Sequence, residues 1–289
     1  VWAGDDEGGI QWFAESDQDW ALGNPTDAIH LYKDEEAGHI AINMVKDASP
    51  KRDAFSICFG LMATPVRPRP QRWRAMGFGH PKWRLGDDKF HRLGLDYSHW
   101  SIAPGWLVPN GREPKAYDPG KPSAWFPFTS GSFWGIRPYG CRQIGHRLDE
   151  WWQFRGEWEL MPIDPRRHTK DEGGWATSSI NPSKSFRDFY AHQVDAFFRH
   201  YDAGGLYIDG QAGNHPSANL EAGFGYVDRD GRVHKTYPIL AGRELLKRTY
   251  ALVKKHRPDK GVIICHSAAW RLMPVLSFCD SIFDGEIVC

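Results

Sequence analysis

GGLYIDGQAGNH, residues 204–215, runs from two glycines through an apolar core into Asp209 and then a polar loop. A short apolar run bounded by glycines is the pattern of a buried strand, so Asp209 stands where the strand ends. Asp-Gly is also a turn signal, because Asp bonds its own nearby backbone and Gly tolerates positive φ. The role of this carboxylate therefore depends on the fold around it.

Helical periodicity flanks the stretch on both sides. Upstream, SKSFRDFYAHQVDAFFRHYDAGG predicts a helix with Ser183 or Ser185 as N-cap and a glycine stop at Gly204. Downstream, YPILAGRELLKRTYALVKKHRPD places Ile239, Leu240, Leu245, Leu246, Tyr250 and Val253 at near-helical spacing, and Pro258 closes the segment. GVIICHS and CDSIFDGE then read as further strands, and GLDYSHW, GSFWGIRPYG and EWELMPI are weaker candidates earlier in the chain. Apolar strands alternating with helices indicate parallel β/α units. Eight such units close a (β/α)8 barrel whose functional groups project from the loops after the strands. An open doubly wound sheet is the competing architecture, but no G-x-G-x-x-G fingerprint follows a strand and opens a helix. The expected fold class is α/β: an incomplete (β/α)8 TIM-type barrel supplying six strands. The chain stops at FDGEIVC, just past a strand candidate, so a barrel truncated at its C-terminus is expected.

Residues 1–66 read differently. GIQWFAES, DAIHLYKD, HIAINMVK and AFSICFGLMATPV alternate apolar and polar residues between turn signals. They suggest antiparallel strands from the C-terminal part of a β-sandwich domain. The proline-rich VRPRPQRWR, residues 66–74, breaks pairing and marks a boundary, so residues 67–289 form the catalytic barrel on this reading.

With 36 basic and 36 acidic residues among 289, the formal net charge is zero, so no global field draws the chain to nucleic acid or an anionic membrane. No apolar run approaches the roughly 18 residues of a membrane span. The opening VWAGDDEGG lacks the basic stretch and apolar run of a signal peptide. Aromatic residues are abundant, with 14 Trp, 10 Tyr and 16 Phe, many beside Gly, Pro, Asp or His rather than inside apolar runs. Such side chains stack on the apolar face of a sugar ring, although each one singly also suits plain core filling. Cys58, Cys141, Cys265, Cys279 and Cys289 are odd in number and lack CxxC spacing, so they imply neither a disulfide framework nor a zinc site.

On the barrel reading, Asp209 ends one strand, His266 and Ser267 the next, and Asp284 and Glu286 the one after. Glycosidic cleavage needs an acid to protonate the leaving oxygen and a second group to meet the oxocarbenium-like charge. Asp209 with Glu286 form the candidate carboxylate pair, with Asp284 in reserve; a turn Asp and a solvated acidic end are the plainer alternative. His266 suits a sugar hydroxyl, a carboxylate partner or a satisfied strand-end histidine, and His99 beside Trp100 has the same ambiguity. Trp134, Trp270 and Asn214 complete the candidate substrate contacts. Asp149-Glu150 in GHRLDEWWQF fits either a substrate-assisted hydrolase pair or the start of a helix. The histidines show no H-x-x-x-H or H-E-x-x-H pattern, so no metal is expected. DRDGR, residues 228–232, reads as a hairpin turn, and no G-x-S-x-G follows a strand.

In GGIQWFAESDQDW, FGLMATPVRP, YVDRDGRVHKTYPILAGRELLKRTYALVKKHRPDKG, ICHSAAW and LSFCDSIFDGE, across residues 8 to 286, the chain resembles glycoside hydrolase family 123-like bacterial proteins. The resemblance implies a β-sandwich joined to a (β/α)8 barrel, glycosidase activity and a periplasmic or secreted location. Family 123 proper uses an adjacent Asp-Glu pair with the substrate acetamido group as nucleophile; here Gly210 follows Asp209, and that pair is not found at this place. The expectation is a glycosidase that cleaves O-glycosidic bonds in an oligo- or polysaccharide, with a carbohydrate as its partner and no organic cofactor. A non-catalytic carbohydrate-binding protein and a lyase or isomerase on the same barrel are the alternatives.

Overall fold

A computed structural model of the chain describes residues 1–46, 56–68, 76–79, 91–94, 153–159, 181–200, 205–209, 215–258, 261–266 and 271–283. The N-terminal strands are β1 (Trp2–Gly4), β2 (Gly9–Phe13), β3 (Ile29–Lys33), β4 (Gly38–Ile42) and β5 (Gly60–Thr64). β1, β2 and β5 form an antiparallel sheet, and β3 and β4 an antiparallel hairpin. Strand alternation decides which face of β2 and β5 is covered. Gln11 and Met62, register partners, are buried, and Phe13 packs against the main core, whereas Ile10 and Leu61 on the alternate positions are exposed. The β3–β4 turn is held by Asp34, whose Oδ1 accepts from the backbone N–H groups of Glu36 and Ala37 at 2.9 and 2.7 Å, an Asx-type closure.

Two short strands follow, β6 (Met76–Gly79) and β7 (His91–Gly94), paired in parallel. Then come α1 (Arg155–Trp158), α2 (Lys184–His200), β8 (Gly205–Asp209), the minimal strands β9 (Tyr226–Val227) and β10 (Val233–His234), α3 (Ile239–His256), β11 (Val262–His266), α4 (Met273–Leu276) and β12 (Ser281–Phe283). Of the weaker strand candidates, GLDYSHW from Leu95 onward and GSFWGIRPYG lie outside the described residues, and EWELMPI does not begin as the strand expected: its Glu157 and Trp158 belong to the helix α1, and of the rest only Glu159 is described.

α2 starts at Ser183, whose Oγ accepts from Phe186 N at 3.3 Å and so caps one orphan N–H of the first turn. Phe186, Tyr190, Val194 and Phe198 recur every four residues along one buried stripe. α3 buries Ile239, Gly242, Leu245, Leu246, Thr249 and Val253. β8, β11 and β12 are parallel, in the order β12-β11-β8, with α3 between β8 and β11 and α4 between β11 and β12. The core lies where the helical stripes meet alternate residues of this sheet: Leu206 and Ile208 of β8, and Ile263 and Cys265 of β11, are all fully buried and are register partners. Each such aliphatic side chain contributes about 1.5–3 kcal/mol of burial.

The N-terminal strands are tied to this α/β unit at several points. The Glu15 carbonyl accepts from Tyr237 N at 2.8 Å. Arg243 Nη1 on α3 donates to the Met62 sulfur at 3.6 Å and to the Pro274 carbonyl at 2.8 Å. Arg67 donates to Asp280 Oδ1 at 2.8 Å and to the Cys279 carbonyl, with its guanidinium 4.7 Å from the Tyr250 ring centroid. The start of the proline-rich boundary is therefore anchored, through Arg67, to α3 and to the turn before β12. Among the described residues no helix is long and apolar enough to cross a membrane.

Candidate functional site

The C-terminal edge of the parallel sheet carries the candidate site. His266 of β11 is the register partner of Asp209 on β8 and of Phe283 on β12. Neighbouring strands lie about 4.8 Å apart, so residues 209, 266 and 283 form a short row across three strand ends. Asp209 and His266 occupy positions that alternate with the buried pair Ile208 and Cys265. Asp284 follows Phe283 directly in the chain. Asp284, Glu286, His99, Trp100, Trp134, Trp270 and Asn214 lie outside the described residues, as do Asp149 and Glu150.

The described part of the long connection from β8 to α3, residues 215–238, is held by polar bonds and by the short β9–β10 pair. Ser217 and Thr236 exchange backbone bonds of 2.8 and 2.9 Å and close the base of the loop. Asn219, almost wholly buried, is its centre: Nδ2 donates to the carbonyls of Gly156 at 2.7 Å and Glu159 at 2.8 Å, while Oδ1 accepts from Ala222 N at 3.1 Å. The Glu159 carbonyl also accepts from Asn181 Nδ2 at 2.6 Å. Two side-chain amides from separate loops thus converge on one carbonyl, which fixes the backbone of the buried Glu159 against the start of α2 and the loop after β8. Gly225 has φ +85°, and a Cβ there would stand 2.7 Å from the His234 carbonyl; only glycine fits.

Beyond Gly225 the loop forms a hairpin. Asp228 Oδ1 accepts from Asp230 N at 2.9 Å and Arg232 N at 2.8 Å, and its Oδ2 meets His234 Nε2 at 2.6 Å. The His234 bond, aided by the backbone amides, holds the Asp228 carboxyl below the usual carboxylate range. Tyr226 stacks on His234 with centroids 4.8 Å apart and donates its hydroxyl to Asp17 Oδ1 at 2.9 Å. Burial, with that bond to Asp17, pushes the Tyr226 phenol up to about 12, so it serves as a fixed donor rather than a proton carrier near neutrality. Burial lowers the pKa of His215, at the start of the described loop, which favours its neutral imidazole.

The register therefore brings the backbone positions of one acidic residue and one histidine to adjacent strand ends. Sequence reading placed Asp209 and His266 at strand ends; the structure makes them register partners. It did not single out Asn219, Asn181 or Glu159, since their bonds join residues about 60 positions apart or belong to an irregular loop. The one signal available was the polar run NHPSANLE after a buried strand. No protein-family model, curated protein or solved structure matches this chain.

Proposed function

We propose that the chain is a glycoside hydrolase cleaving O-glycosidic bonds in an oligo- or polysaccharide, built on a (β/α)8-type barrel preceded by part of a β-sandwich. The observation that carries this reading is the register of Asp209, His266 and Phe283 across three consecutive parallel strands. Strands added in chain order with a helix between each are the repeating unit of such a barrel, and its chemistry collects at the strands' C-terminal ends. The resemblance to family 123-like proteins and the aromatic load point the same way.

In the proposed mechanism Glu286 protonates the leaving oxygen and Asp209 stabilises or attacks the anomeric centre, with Asp284 as the alternative carboxylate. His266, beside Asp209 in register, orients a sugar hydroxyl or the Asp209 carboxyl. A separation of about 5 Å between the two carboxyls gives retention and roughly 6.5–9.5 Å gives inversion. Kinetics test the assignment. Glu286→Gln is expected to lower kcat/KM by about 100-fold or more on glycosides with poor leaving groups. On an activated aryl glycoside, whose departure needs little protonation, the loss is expected to be much smaller. Equal losses on both substrates would remove Glu286 from the acid role, and full activity in both Glu286→Gln and Asp209→Asn would reject the pair.

A further inference from the structure

Where the turn after β2 meets the start of α3, the chain forms a cavity of about 220 Å3, open to solvent on one side and lined by Phe13, Glu15, Gln18, Ser56, Cys58 and Phe59 among others. It shares no residue with the strand edge described above. We propose that this cavity is a second binding site, one that takes a single ring of a neutral saccharide.

The walls define the ligand's chemistry. Phe59 is 49% exposed yet held in place, stacked on Trp12 with ring centroids 6.3 Å apart and planes at 24°. An exposed aromatic ring already fixed by a stacking partner loses little freedom when a second flat apolar face lies on it. Phe13 closes another side. Its register partner is Gly60, and a Cβ on Gly60 would meet the Phe13 ring at 2.3 Å, so the glycine makes room for the ring.

The polar lining has one fixed member. Glu15 Oε1 accepts from Leu240 N at 2.6 Å, and the Ile239 amide also bonds the carboxyl, so the start of α3 fixes this acceptor in the lining. Gln18 and Ser56 can each donate and accept. Glu15 is the single charged residue of the lining, so an anion is repelled, and one carboxylate falls short of the several oxygen ligands a bound hard cation requires. An aromatic face in one lining with a fixed acceptor, a hydroxyl and an amide suits a neutral ring bearing several hydroxyl groups. The volume lies below the roughly 300 Å3 at which pockets for drug-sized ligands begin, which limits the occupant to one ring, with any further sugars outside.

Cys58 supplies the readout, since it lines the cavity and is exposed while Cys265 and Cys279 are buried. Peptide-resolved alkylation of Cys58 by iodoacetamide is measured against increasing methyl β-glucopyranoside, methyl β-galactopyranoside and cellobiose. At least one probe is expected to slow Cys58 labelling saturably. Phe59→Ala and Glu15→Gln are each expected to raise the half-protecting concentration by about tenfold, equivalent to about 1.4 kcal/mol. Ser56→Phe, which fills the cavity from an exposed position, should abolish saccharide dependence even if Phe59→Ala disturbs folding. Asp209→Asn should leave protection unchanged, so the outcome for the cavity is independent of the proposed hydrolytic site. Failure of all three probes to slow labelling overturns the proposal. So does protection that is lost in Asp209→Asn but kept in Phe59→Ala and Ser56→Phe.

Discussion

Arg67 shows how much one side chain carries between the two parts of the chain. Its partner Asp280 is 9% exposed, accepts from Ile263 N at 2.8 Å through Oδ2, and has Lys254 only at 3.7 Å. Removing the guanidinium leaves a largely buried carboxylate without its close counter-charge, which costs more than the pair itself contributes. Arg67→Ala is therefore expected to destabilise by about 3 kcal/mol, read as a lower urea midpoint. Arg67→Lys should recover only part of this, because a point charge cannot reach both Asp280 and the Cys279 carbonyl as the planar fork does. Asp195 on α2 makes the opposite kind of contact, near solvent. It receives His256 Nε2 at 2.8 Å and Lys255 Nζ at 3.0 Å from the end of α3, and Arg199 lies 2.5 Å from its other oxygen. The bond to His256 above all, and then that to Lys255, lowers its pKa to about 2. A depressed carboxyl pKa gives stability that is complete above the unfolded value of about 3.9 and is lost as pH falls through the folded one. Asp195→Asn should then cost about 1 kcal/mol at neutral pH, and the gap to the wild type should close as denaturation is followed from pH 4 toward about 2.

At the level of elements, α3 offers an internal comparison. Leu246 is fully buried and Leu240 is 46% exposed. Leu246→Ala should cost about 3 kcal/mol through lost transfer energy and a residual cavity, whereas Leu240→Ala should stay within about 0.5 kcal/mol, both by thermal or urea melts. Ser183→Ala, which deletes the α2 cap, should fall between them at about 1 kcal/mol. These two helices were legible in the sequence because their apolar residues recur at helical spacing over four turns or more. β2 to β5, β8 and β11 were legible from alternation or from a continuous apolar run. β1, β6 and β7 were not singled out: runs such as Trp2–Gly4 and Met76–Gly79 are too short for any period to register. The candidate site divides the same way. Asp209 and His266 could be placed because strand ends are local features, but the cap on α3 could not. Pro238 at its start supplies no side-chain bond, and Glu15, which does, lies 225 positions away.

For the molecule as a whole, these distant bonds predict a single transition. In a variant whose other tryptophans are replaced by Phe, Trp12 and Trp20, 6.1 Å apart between ring centroids, report on the N-terminal strands, and far-ultraviolet circular dichroism reports mainly on α2 and α3. If Glu15, Asp17, Met62 and Arg67 couple the two parts, fluorescence and dichroism should give coincident denaturation curves. In Arg67→Ala the two curves should move together to lower denaturant rather than separate.

α3 is gripped near both of its ends by residues that precede it by more than 170 positions: Glu15 holds Leu240 at the first turn, and Arg67 lies over Tyr250 toward the last turns. These attachments are non-covalent, and among the described residues the bonds that tie the N-terminal strands to α3 come from residues up to Arg67. The chain should therefore work as a split protein. Residues 1–68 and 69–289, made as separate polypeptides, should co-purify and regain the tryptophan emission of the intact chain, and Arg67→Ala in the shorter piece should weaken that reassembly.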